Sequence, residues 1–100
     1  MLIVTGSITA RPETFEDLLE AALSHVRRSR TEPGCLSHAV QIDAENPLRL
    51  VFFEEWADDA ALQVHFRHPG SGAFMQAVRA LSATSTRVKI YEAKETTPAR

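Results

Sequence analysis

The order of apolar periodicities along this chain predicts an α+β domain on the ferredoxin-like plan, β-α-β-β-α-α-β with an antiparallel sheet. Two observations carry that expectation. Period-two stretches at residues 1–10, 35–43, 48–56 and 85–93 alternate with stretches of helical period, and Gly, Pro and Asp/Asn clusters separate them. A chain of 100 residues also supports a single hydrophobic core, so one domain is expected over residues 1–94, with 95–100 as a frayed tail.

MLIVTGSITA places Leu2, Val4, Ile8 and Ala10 on one parity, with Gly6 removing a side chain from that face. The following segment repeats Phe15, Leu18, Leu19, Ala22, Leu23 and Val26 at spacings of three and four, as an amphipathic helix requires. Pro12 suits its first turn and Glu32-Pro33-Gly34 stops it. In CLSHAVQID, Leu36, His38, Val40 and Ile42 alternate against Cys35, Ser37, Ala39 and Gln41, which makes a second strand. The turn AENP leads to LRLVFFEEW, a third strand. Asp58 or Asp59 caps a short helix through Phe66, and Pro69-Gly70 ends it, with Ser71-Gly72 read as loop. Phe74, Ala77, Val78 and Leu81 then mark another helix. The last strand sets Val88 and Ile90 on one face and Arg87, Lys89 and Tyr91 on the other.

The third strand is apolar on both parities, Leu50 and Phe52 against Val51 and Phe53. In a ferredoxin-like plan helices cover only one sheet face, so something else must cover the second. A homodimer with two sheets face to face is the expected solution.

Charge and composition exclude several classes. A formal net charge of −2 gives no basic footprint for nucleic acid. The basic run in HVRRSR follows Glu13, Glu16, Asp17 and Glu20 and complements a helix dipole. No apolar run approaches the roughly 20 residues a bilayer requires. A single cysteine, Cys35, and an N-terminus without a signal-peptide pattern suggest the cytoplasm.

Three residues break the core pattern. On the short helix His65 falls about 40° from Ala61 and about 60° from Leu62, inside the apolar face. Glu54 and Trp56 share parity with Leu50 and Phe52. A histidine there either bonds a carbonyl or Glu54 as part of the core, or serves a ligand hydroxyl from a pocket of Trp and Phe. Glu54 could equally pair with Arg87 or Lys89 across the sheet, and Trp56 could simply fill the core; Glu55 points the other way as a rim charge. No metal is expected: His65 and His68 share a helical face but lack a third ligand of recognisable spacing, and Cys35 and His38 fall on opposite strand parities. Phosphate loops, GxSxG elbows and CxxC pairs are absent.

EPGCLSHAV, AENPLR, VFFEEW, DDAALQVHF and GAFMQAV together resemble the antibiotic biosynthesis monooxygenase family, across about residues 1–94. The specific part is Glu54-x-Trp56 followed by Ala61, Leu62 and His65. The resemblance implies a dimeric α+β barrel and oxidation of quinols, anthrones or similar phenolic rings by O₂ without metal or flavin. It implies His65 as base or hydrogen-bond partner, Glu54 orienting it or tuning its pKa, and Trp56 as pocket wall, with Phe52, Phe66 and Phe74 as lining. A haem-binding branch carries an asparagine on its first strand. Here the only asparagine is Asn46, in a turn, so haem is not expected.

Overall fold

The computed structural model describes residues 1–98; the part of the expected tail at 99 and 100 lies outside the described residues. Its elements are β1 (Leu2–Thr9), α1 (Phe15–Ser29), β2 (Cys35–Asp43), β3 (Asn46–Trp56), α2 (Asp59–Arg67), α3 (Pro69–Leu81) and β4 (Arg87–Glu92). The sheet order is β2-β3-β1-β4 with antiparallel neighbours throughout, which is the ferredoxin-like plan. No helix among the described residues is long and apolar enough to cross a membrane.

The helices cover one sheet face. Register pairs Ile8 with Leu50, Gly6 with Phe52 and Val4 with Glu54, so these residues share that face. Two apolar clusters form under the helices. Ile8, Leu50 and Phe52 meet Leu18, Ala22 and Val26 of α1 and Val78 of α3, while Val4 and Trp56 meet Leu62 of α2. Each fully buried aliphatic side chain contributes about 1.5–3 kcal/mol. Between the clusters, on β3, stands Glu54.

Several local expectations change. Pro12 lies before α1 rather than in its first turn. The Thr14 hydroxyl accepts from Arg11 N–H (3.0 Å) and donates to the Leu81 carbonyl (2.6 Å), which fixes the turn so that α1 starts at Phe15. Pro69 does end α2 but also opens α3, so Ser71 and Gly72 are helical rather than loop. Proline at the first helical position is pre-organised for it, and His68 Nδ1 accepts from Gly70 N–H (2.9 Å) to cap the turn. Asp58 caps α2 by accepting from Ala61 N–H (2.8 Å).

A register shift between Cys35 and Ser37 sets Cys35 opposite Trp56 and His38 opposite Glu54. Cys35 and His38 therefore share the helix-covered face, contrary to the simple alternation, and Leu36 turns to solvent. Gly34, at φ +83°, makes the preceding turn; a Cβ there would collide with Ala61 of α2. That close approach seats α2, and with it His65, against the sheet edge.

The opposite sheet face carries no helix. Phe53 and Tyr91 are exposed on it, beside Ile3 and Val51, and Arg87 and Lys89 share it by register with Ser7 and Thr5. The alternative pairing of Glu54 with Arg87 or Lys89 is thereby overturned, because those side chains stand on the other side of the sheet. Glu55 does face that side, accepting from Ser37 Oγ at 2.7 Å.

Candidate functional site

The α2 helix delivers His65 into the gap between the two apolar clusters, where the ring is 3% exposed. Its Nδ1 lies 2.9 Å from Glu32 Oε1. A carboxylate oxygen accepts, so Nδ1 carries the proton and Nε2 is left as the basic nitrogen. Nε2 stands 3.8 Å from Glu54 Oε1. The bond that orients His65 thus comes from Glu32, in the turn after α1, and Glu54 approaches the other edge of the ring. Burial lowers the His65 pKa while the bond to Glu32 opposes that shift, and the net is a lowered value that keeps the ring neutral at pH 7.

Glu54 is held from behind. Trp56 Nε1–H donates to its Oε1 at 2.9 Å, and the indole packs on His65 with ring centroids 4.5 Å apart. Trp56 is completely buried and does not reach the cavity, so its expected place as pocket wall is taken by smaller rings; it positions Glu54 and His65 instead. Burial raises the Glu54 pKa to about 7, partly offset by the Trp56 bond and reinforced by the charge on Glu32.

Two more histidines complete the cluster. His38 comes from β2 and His25 from α1, and one ring nitrogen of each of His25, His38 and His65 falls within 4.8 Å of the others. His25 stacks on Phe74 at 4.3 Å and 12°, and its Nδ1 accepts from Arg28 Nη2 at 3.0 Å, since a guanidinium can only donate. Among the described residues neither ring nitrogen of His38 has a hydrogen-bond partner; its Nε2 lies 3.5 Å from Glu54 Oε2 without the alignment of a bond. Burial first, and then the neighbouring histidines, push the pKa of His25 and of His38 down to about 3.

Arg28 ties these elements together. Its Nε donates to Glu32 Oε2 (3.3 Å) and its Nη2 to Ser71 Oγ (3.2 Å), while Ser71 Oγ donates to the His65 carbonyl (2.6 Å). One guanidinium therefore fixes the carboxylate that fixes His65 and the helix start beneath it.

Over this cluster opens a cavity of about 170 Å³. Of the residues expected there, Phe52, Glu54, His65, Phe66 and Phe74 line it; His25, His38, Gly6, Met75 and Val88 are added by the structure. Gly6 explains part of the space, for it lies opposite Phe52 on one side and Val88 on the other with no side chain of its own. The sequence reading missed His25, His38 and Glu32 as members of the site. His25 was signalled by its spacing from Leu18 and Ala22 on the apolar face of α1, and His38 by its parity with Val40. Glu32 had no such signal, because periodicity does not fix where a turn residue points.

Comparison with known proteins agrees with this architecture. The profile of the antibiotic biosynthesis monooxygenase family matches residues 1–77. An uncharacterised Synechocystis protein, sll1783, is 33% identical over 95 residues, which are 95% of this chain and 65% of that protein; the chain thus spans about two thirds of its length. The Bacillus subtilis protein YcnE, provisionally named a monooxygenase, is 33% identical over 67 residues, 65% of this chain and 68% of its own. A Deinococcus radiodurans crystal structure, provisionally described as an antibiotic biosynthesis monooxygenase, superposes with a TM-score of 0.93 at 27% identity, covering 100% of this chain and 99% of the other. With this match over most of its length, and with the fold that the family profile implies, the chain belongs to the antibiotic biosynthesis monooxygenase family.

Proposed function

We propose that the chain is a cofactor-independent monooxygenase for a small phenolic ring, with His65 as the base. The observation that carries this is the Glu32–His65 pair: a carboxylate 2.9 Å from Nδ1 fixes the tautomer in which Nε2 can take a proton, at the edge of an aromatic-lined cavity. A quinol hydroxyl bonded to Nε2 loses its proton there, and the resulting anion is electron-rich enough to reduce O₂ directly. The overall change balances as quinol plus O₂ giving hydroxyquinone plus water. The ring loses four electrons; one oxygen atom enters it and the other leaves as water.

The remaining residues orient and exclude water. Phe52, Phe66 and Phe74 clamp the ring faces, while Glu54, neutral below about pH 7, adds a donor without adding charge next to the phenolate. Size favours a quinol over an anthrone. An apolar cavity of about 150 Å³ takes up one benzene, so 170 Å³ suits a one- or two-ring quinol better than a tricycle. The uncovered sheet face, with Phe53, Tyr91, Ile3 and Val51, supports a second copy of the chain as its cover.

Oxygen uptake by chelator-treated protein with reduced naphthoquinols and anthrones, with autoxidation subtracted, tests the reading. Uptake above background that falls by 10²-fold or more in His65→Ala, and by a smaller factor in Glu32→Gln with folding intact, is expected. Absence of uptake across both panels overturns it and leaves a binding role for the pocket.

A further inference from the structure

We infer that His25, His38, His65 and Glu54 also form a binding site for a divalent first-row transition metal, zinc foremost, distinct in chemistry from the base function proposed above. Three nitrogen donors and one carboxylate oxygen are a donor set that suits Zn²⁺, Co²⁺ or Ni²⁺. Metal–ligand bonds of about 2.0–2.1 Å in tetrahedral geometry put neighbouring donor atoms roughly 3.3 Å apart. Glu54 Oε2 already stands 3.5 Å from His38 Nε2, and Glu54 Oε1 3.8 Å from His65 Nε2. The histidine nitrogens lie within 4.8 Å of one another, so the edges among the three histidines close by at most about 1.5 Å, a side-chain adjustment, and a small turn of the Glu54 carboxylate brings one of its two oxygens to the fourth position.

The surroundings resemble those of a metal centre in two further respects. His38 is 2% exposed and neither of its nitrogens is used by the protein among the described residues, an arrangement that costs stability unless something else engages them. His65 donates its other nitrogen's proton to Glu32, and Trp56 donates to Glu54 Oε1; carboxylate-to-histidine and donor-to-carboxylate bonds of this kind hold metal ligands in orientation. Glu54 is buried with no Lys or Arg bonded to it among the described residues, and a dication would supply the missing charge. Coordination by His25 through Nε2 leaves Arg28 to surrender Nδ1, and that guanidinium keeps Glu32 and Ser71 as acceptors.

Because the metal and a phenol would both need His65 Nε2, occupancy by zinc blocks proton transfer. The inference does not depend on the oxygenase reading, since metal binding is read without substrate. Chelator-stripped protein titrated with Co²⁺ is expected to bind one equivalent per chain with the intense visible absorption of a tetrahedral site, displaced by Zn²⁺. Zinc at about 100 times its Kd is expected to raise Tm by roughly 10 °C or more. In His38→Ala, shown folded by circular dichroism, both effects disappear. A weak, water-like cobalt spectrum, or a zinc shift that survives in His38→Ala, would overturn the site. Should that variant not fold, zinc-edge X-ray absorption of the wild-type protein decides: three imidazoles support the site, and two or fewer reject it.

Discussion

The two halves of the helix-covered sheet face are buried alike and built from opposite chemistry. Ile8, Leu50 and Leu18 sit in a buried apolar cluster; one turn of the pleat away, the row Val4–Glu54–His38 meets His65 and His25. The first region stabilises the chain at any pH. The second carries titratable groups that water would solvate better, and its stability contribution therefore depends on protonation. Stability is concentrated in the apolar clusters on either side, and the chemically useful groups between them lean on both.

The sharpest way to break that contrast is to attack the apolar half. Leu50→Ala removes a completely buried side chain from the centre of the first cluster, and a loss of about 2–5 kcal/mol is expected in denaturant unfolding, nearly independent of pH. The histidine half should behave in the reverse manner. With folded pKa values near 3, His25 and His38 stay neutral while an unfolded chain would bind protons below about pH 6.5, so their contribution falls as pH drops from 6.5 toward 3. Glu54 acts with opposite sign. Its raised pKa favours the folded state at low pH, and that advantage is lost as pH rises from about 4.5 through about 7. His25 and His38 against Glu54 leave a net loss on the order of 1 kcal/mol per pH unit of acidification between pH 6.5 and 4.5 in metal-stripped protein, and His65, also lowered, adds to it in the same direction. His38→Phe keeps the ring shape and removes one histidine, so unfolding curves at several pH values should flatten by about the same amount per unit. An unchanged slope would show that His38 is protonated in the native state.

A smaller effect separates cavity from core. At Gly6 an added Cβ would meet the Arg87 carbonyl at 3.3 Å and Val88 Cγ2 at 3.7 Å, a tight backbone contact that needs the edge strand β4 to give by a few tenths of an ångström. Gly6→Ala should therefore change stability by no more than about 1 kcal/mol while raising the floor of the cavity between Phe52 and Val88. The expected outcome is a near-normal melting curve with loss of quinol-dependent oxygen uptake. A variant that both folds and turns over normally would move the substrate away from this cavity.

How much of this was legible beforehand depended on what fixes each side chain's direction. Strand and helix periods are local, so element order, the shared face of Leu50, Phe52 and Glu54, and the placement of His65 on the apolar side of α2 could be read directly, whereas which of the two sheet faces the helices cover could not, because both parities of β3 are apolar. Depth was not legible. Trp56 was placed on one face with Glu54, yet only the packing of α2 shows that it lies behind the cavity. His25 was hidden by its basic neighbours Arg27 and Arg28, which made the end of α1 look wholly solvated. The bulge at Leu36 shifted Cys35 by one position, and a bulge leaves no periodic trace. Glu32 belongs to a turn, and its meeting with a histidine 33 residues away is a product of the tertiary fold alone.

The smallest expected effect on the single chain tests the contrast between the covered and uncovered sheet faces. Phe53 is 44% exposed and touches no helix, so Phe53→Glu should barely alter the unfolding of one chain. If a second copy packs on this face, the same substitution sets two carboxylates into the centre of a sheet-on-sheet contact, where an unpaired charge is costly to bury. Light scattering should then report dimers for the wild-type protein and monomers for the variant. A wild-type chain that is monomeric at micromolar concentration would remove the second copy as the cover. Val51 and Phe53 would then need another partner, because a strand apolar on both faces pays in solubility for every side chain left in water.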